Sequence, residues 1–139
     1  MKIIDATDAI IGRLATRVAK MLLLGETIVL VNSEKVVITG TKERVLAKYK
    51  QTRERGIPLR GPYYPRRADM ILKRTIRGML PYKQEKGELA LKRLTCHLSV
   101  PSELEGKSFE KIKEADISNS NSNKHVDLLT VSKFLGAKL

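Results

Sequence analysis

An α/β fold built on a parallel sheet is what this sequence predicts, and three observations predict it. Ile3-Ile4 is a short apolar run closed at once by Asp5-Ala6-Thr7-Asp8. A helical stripe follows, with Ile11, Leu14, Ala15, Val18, Ala19 and Leu22 at the i, i+3, i+4, i+7, i+8 and i+11 steps of one helix face. Thr27-Ile28-Val29-Leu30-Val31 then runs without polar alternation, which suits a strand buried on both sides. Strand, helix and buried strand make a βαβ unit, for which a right-handed crossover is the rule.

The remaining elements follow in order. Gly25 supplies the stop of the first helix. Val36-Val37-Ile38 reads as a third short strand that Gly40 ends, and Thr41 can cap a helix running through Val45, Leu46 and Tyr49 towards Arg55. Gly56 to Arg67 holds three prolines and two glycines, so it is expected to be a loop. Asp69 can cap a third helix with Leu72, Ile76, Met79 and Leu80 on its buried face, and Pro81 breaks it. A further helix is expected over Glu88 to Leu94, leading into a strand near Thr95 to Val100. The polar tract within residues 118–124, Ser118-Asn119-Ser120-Asn121-Ser122-Asn123, reads as a flexible linker. Val126 to Leu139 is apolar enough to dock back as a short helix. No internal repeat occurs, and 139 residues suit one domain.

Composition narrows the function classes. Hydrophobic residues make up 42% of the chain and aromatics 4%, with no Trp, so aliphatic side chains must fill the core. Asp5 interrupts the N-terminal apolar run, so no signal peptide is expected. Apolar runs such as Met21 to Leu24 are far too short to span a bilayer. The single cysteine, Cys96, excludes an intramolecular disulfide and a Cys-based zinc site. A soluble protein of the reducing cytoplasm is expected, with no cofactor, no metal and no small-molecule substrate.

Charge carries the strongest functional signal. There are 27 Lys and Arg against 15 Asp and Glu, a net charge of +12 and a pI near 10.0. Such a chain in the cytosol points to a polyanionic partner, and above all to nucleic acid. Residues 42–93 hold 16 cations against 5 acids, whereas residues 1–41 hold 5 against 4 and residues 94–139 hold 6 against 6. Charge kept for solubility alone has no reason to concentrate in this way.

Within that window, Lys42, Arg44, Lys48, Lys50, Arg53 and Arg55 surround the apolar strip of the second helix. Lys73, Arg74 and Arg77 sit opposite Leu72, Ile76 and Leu80 on the third. Between them lies Arg60-Gly61-Pro62-Tyr63-Tyr64-Pro65-Arg66-Arg67. Guanidinium groups grip phosphates in a bidentate fork, and tyrosines stack on unpaired bases. Lys83, Lys86 and Arg93 continue the basic series. Arg13 and Arg17, with Lys20 beyond them on the first helix, either extend the footprint or form a solvated stripe. A charged helix face is ordinarily only solvated, but two such helices joined by an Arg/Tyr loop point to RNA contact.

Catalytic readings find less support. Gly40-Thr41-Lys42 lies between strand and helix as a phosphate loop would, yet it lacks the upstream glycine of a Walker motif, and no G-x-G-x-x-G occurs. Cys96 and His97 are adjacent, so on a strand they face opposite ways and cannot form a nucleophile–base pair. His125 stands beside the polar tract and is expected to be exposed. Glu103, Glu105, Glu110 and Glu114 read as a solvated face. Two other classes remain to be discriminated: a nucleotide-dependent enzyme would bind ATP or GTP saturably, and an anionic-membrane module would co-sediment with liposomes.

Ile76-Arg77-Gly78-Met79-Leu80-Pro81, followed by Gly87 and Leu89-Ala90-Leu91-Lys92-Arg93-Leu94, closely resembles the universal large-subunit ribosomal protein family thirteen. Asp5-Ala6-Thr7, Gly12-Arg13-Leu14-Ala15-Thr16 and Val31-Asn32-Ser33-Glu34-Lys35-Val36 with Thr39-Gly40 are similar to the same family. The matches run in order from residue 3 to about residue 94. Arg60-Gly61-Pro62-Tyr63, and the lack of the segment bacterial members insert before the second strand, resemble the archaeal and eukaryotic branch; with no long basic C-terminal extension, the archaeal type fits better. The resemblance implies a three-layer α/β/α sandwich on a four-stranded, mostly parallel sheet. It also implies a non-catalytic constituent of the large ribosomal subunit that binds large-subunit rRNA beside neighbouring ribosomal proteins. Thr95-Cys96-His97-Leu98-Ser99 departs from the family's aliphatic-aromatic strand and glycine, and the resemblance says little about residues 103–139.

Overall fold

The computed structural model describes residues 1–138. Its central sheet is parallel: β1 (Lys2–Asp5) and β4 (Leu94–Cys96) flank β2 (Ile28–Val31). All four β2 residues are buried, as the unbroken apolar run requires. Between β1 and β2 runs α1 (Ile11–Leu23), which buries Leu14, Ala15, Val18, Ala19 and Leu22 on the face the spacing defines. Leu14, Leu22, Ile4, Ile28, Leu30 and Leu94 pack into one cluster with Leu72 and Ile76 from α3 (Ala68–Gly78). Ile3, Val29 and Val31 point to the other side of the sheet, where Leu104 and Val100 cover them.

Two features of the sheet differ from expectation. The strand expected at Val36–Ile38 forms as β3 (Val37–Thr39), but it pairs antiparallel with β5 (His125–Asp127) in a separate two-stranded sheet. The central sheet therefore has three strands, not four; beyond β1 its edge carries only a single bridge from Ile4 to Glu110. Nor is the second face covered by an α-helix: Leu104 comes from a 3-10 turn, Ser102–Leu104. The three sheet residues of this small cluster need no more cover than Leu104 and Val100 provide.

Helix boundaries also shift for local reasons. The second helix, α2 (Lys42–Glu54), begins after Thr41, whose side chain makes no capping hydrogen bond. Arg67, not Asp69, occupies the N-cap position of α3; Asp69 lies buried in the first turn, where its carboxylate faces the positive end of the helix. Helix α4 spans Glu85–Lys92 rather than starting at Glu88, since Glu85 and Glu88 both suit a first turn. Gly87 lets α4 approach the Pro81 carbonyl more closely than any side chain would allow. Strand β4 stops at Cys96, because Ser99 turns the chain at φ +45°. The 3-10 turn Ile117–Asn119 precedes β5 within the polar region. Helix α5 (Leu128–Phe134) docks as expected, burying Leu128, Val131 and Ser132, with Leu135 after it; Leu139 lies outside the described residues.

Candidate nucleic-acid interface

Helices α2 and α3 and the loop between them form the basic face. Val45 is the only buried residue of α2, with Leu46 and Tyr49 half-buried against the core. The rest of the helix is left to polar groups, so Lys42, Arg44, Lys48 and Lys50 stand in solvent. Arg55, Arg60 and Arg66 are likewise exposed along the loop, as are Lys83 and Lys86 after α3. None of these nine makes an ion pair among the described residues.

A second group of the expected residues is committed inside the molecule. The Arg53 guanidinium donates to the Tyr64 carbonyl at 3.0 Å, and Arg74 donates to the Tyr63 carbonyl at 3.3 Å. The buried Ser132 hydroxyl of α5 donates to the Arg66 carbonyl at 2.7 Å. Three successive anchors thus hold Tyr63, Tyr64 and Arg66 in place, whereas sequence reasoning gave the loop no internal support. Arg67 pairs with Asp69 at 3.0 Å, Arg17 pairs with Glu114, and Arg77 lies 4.7 Å over the Tyr82 ring. Arg93 donates to the Leu22 carbonyl at 2.9 Å and fastens the end of α1. Lys73 is half-buried near Cys96, while Arg13 is exposed on α1.

The two tyrosines separate. Tyr63 is 66% exposed, with its hydroxyl donating to the Pro58 carbonyl. Tyr64 turns inward, its ring 6.1 Å from that of Tyr49 and tilted by 58°, with Arg74 5.5 Å over it. It is a strut of the core rather than a free stacking platform. Burial, with the neighbouring Tyr64, pushes the Tyr49 hydroxyl up to about 12; burial also raises that of Tyr64 against the opposing pull of Arg74. Both stay protonated at neutral pH.

Beside them α2 overhangs a cleft of about 620 Å³. Ile11, Ile38 and Val45 give it an apolar floor, Tyr49 and Tyr64 one wall, and Arg44 and Lys48 its cationic rim. Sequence reasoning placed the two cations but not the cleft, because Thr39, Thr52 and Thr75 reach it from three different elements. No short-range pattern connects those residues.

Elsewhere the nucleophile–base reading of Cys96 and His97 gains nothing. Cys96 packs against the core, and burial pushes its thiol up to about 12, so it is not a thiolate at neutral pH. Among the described residues no helix is long and apolar enough to cross a membrane.

Comparison with known proteins decides the family. The profile of the ribosomal protein L13 family matches residues 1–103. The chain is 49% identical to the large ribosomal subunit protein uL13 of Archaeoglobus fulgidus over 135 residues, covering 96% of this chain and 86% of that one. It belongs to the ribosomal protein L13 family. To uL13 of Methanosarcina barkeri it is 49% identical, covering 99% of both chains, and to that of Picrophilus torridus 48%, covering 96% and 95%. The match to the Methanosarcina barkeri protein, over 99% of this chain, takes in nearly all of residues 103–139, about which the sequence resemblance said little. L13 is a family of ribosomal structural proteins, not of enzymes.

Proposed function

We propose that this chain is a structural constituent of the large ribosomal subunit. It folds as one domain and binds large-subunit rRNA through the face made by α2, the loop 56–67 and α3. Neighbouring large-subunit proteins complete its surroundings, and by holding adjacent RNA segments it supports subunit assembly and translation on the cytoplasmic ribosome. The observation that carries this reading is the division of labour among the cations. Arg53 and Arg74, together with the Ser132 hydroxyl, use their hydrogen bonds to shape the loop. Lys42, Arg44, Lys48, Lys50, Arg55, Arg60 and Arg66 are exposed and have no counter-ion among the described residues. Like charges held together at such density repel one another, and phosphates relieve that repulsion.

Sucrose-gradient fractionation of native lysate tests the assignment, with the chain followed by antibody. It should sediment with the large subunit and with whole ribosomes, and stay there until the salt is high enough to strip proteins from rRNA. A chain recovered entirely at the top of the gradient at low salt would refute it.

A further inference from the structure

We infer that the cleft under α2 is a binding pocket for one unpaired nucleotide of the bound RNA, with its base on the apolar floor and its phosphate at Arg44 and Lys48. The inference rests on the RNA-binding reading and deepens it.

Five features of the cleft select this ligand. Arg44 and Lys48 are one helical turn apart, so both can reach a single phosphate. No acidic side chain lines the cleft, so an anion meets no repulsion. Its floor is too apolar to suit a bare phosphate, and Tyr49 and Tyr64 offer aromatic edges to a base. The hydroxyls of Thr52 and Thr75 donate to backbone carbonyls within their own helices, which leaves their lone pairs free to accept from a base amino group. At about 620 Å³ the space is of small-ligand size. An apolar ligand would leave two cations uncompensated at the rim. A free nucleoside di- or triphosphate would want more phosphate-binding groups than these two. One nucleotide of a polynucleotide matches both the rim and the floor.

The experiment compares the full chain with Thr52→Phe and Thr39→Phe, which intrude on the cleft from α2 and from β3 without changing charge. The probes are full-length large-subunit rRNA transcribed in vitro, and AMP as a free nucleotide. Each variant should bind the rRNA about tenfold more weakly, the loss of one seated base, with the salt slope shallower by no more than about one phosphate contact. Ultraviolet cross-linking of the unmodified chain, mapped by mass spectrometry, should place a nucleotide on Tyr49 or Tyr64, and both substitutions should abolish that adduct. AMP alone should not saturate at micromolar concentration. If the filled variants bind like the parent and neither tyrosine carries a nucleotide, the pocket is refuted while the RNA-binding face stands. Saturation by micromolar AMP would also overturn it, by making the occupant a free nucleotide. Failure of the unmodified chain to bind rRNA would remove both readings together. The cross-link on the unmodified chain decides the matter even if a filled variant does not fold.

Discussion

Raising monovalent salt from about 50 to about 200 mM perturbs phosphate contacts selectively, because each contact releases condensed counterions that bulk salt then makes costly to release. Lys42, Arg44, Lys48, Lys50, Arg55, Arg60 and Arg66 are the exposed, unpaired cations of α2 and its following loop. If Arg44 and Lys48 share one phosphate and the others meet one each, the slope of log affinity against log salt is about −4 for single-stranded contacts and about −5 for duplex ones. A fourfold rise in salt then weakens binding by about several hundredfold or more. Fluorescence anisotropy with an rRNA fragment footprinted by the chain, titrated at several KCl concentrations, measures the slope directly. Replacing one of these residues, for example Arg60→Ala, should make the slope shallower by about 0.7 to 0.9. A slope no steeper than about −2 would show that few of these cations meet phosphate, and the argument from unpaired charge would fail.

Other perturbations separate folding from binding. Arg93→Ala should lower stability by about 1 kcal/mol in denaturant titrations, since it removes one of the donors to the Leu22 carbonyl, which the Gly25 N–H also reaches, and should leave rRNA affinity unchanged; a selective loss of affinity would return Arg93 to the RNA surface. Cys96→Ser and His97→Ala should each enter the large subunit normally, with a stability cost on the order of 1 kcal/mol for the partly buried Cys96; a folded variant excluded from subunits would contradict this. Burial alone would raise the Asp5 carboxyl, but hydrogen bonds from Asn32 and Thr7, helped by Lys111, outweigh it and hold it below its ordinary value of 3.8. Its folded value being the lower one, Asp5 adds stability that is complete above the ordinary value and fades as pH falls through the folded one. The stability gap between parent and Asp5→Asn should therefore narrow below about pH 4, and a gap constant down to pH 2 would refute the linkage.

Much of the scaffold was legible because it is local. The spacing from Ile11 to Leu22 contains its own face, and the unbroken Ile28–Val31 run contains its own double burial. What escaped depends on distant partners. Nothing in Val37-Ile38-Thr39 says that it pairs with His125-Val126-Asp127 rather than with the parallel sheet. Ser132 reaches Arg66 across 66 residues, and Arg93 reaches Leu22 across 71. Composition identified the basic stretch, yet only the packed structure separates the arginines that shape the loop from those free to meet a ligand. Tyr63 and Tyr64 make the same point, since neighbours in sequence end up on opposite sides of the surface.

The most direct test asks whether a placed surface, rather than net charge, binds the RNA. A triple change of Arg55, Arg60 and Arg66 to Ala removes three exposed loop cations with no internal side-chain partner. Arg67 is left in place, because its loss would strand the buried Asp69 carboxylate. The control changes Lys35, Lys107 and Lys113 to Ala, all exposed and all outside the basic window. Both variants lose the same charge, and both should keep the parent's thermal midpoint within a few degrees. Measured side by side against the same rRNA at one salt concentration, the loop variant should bind at least about a hundredfold more weakly, roughly 1 kcal/mol or somewhat more per lost charge-assisted contact. The control should stay within a few fold of the parent. Equal losses from the two variants would contradict the account, because the chain would then bind as a diffuse polycation.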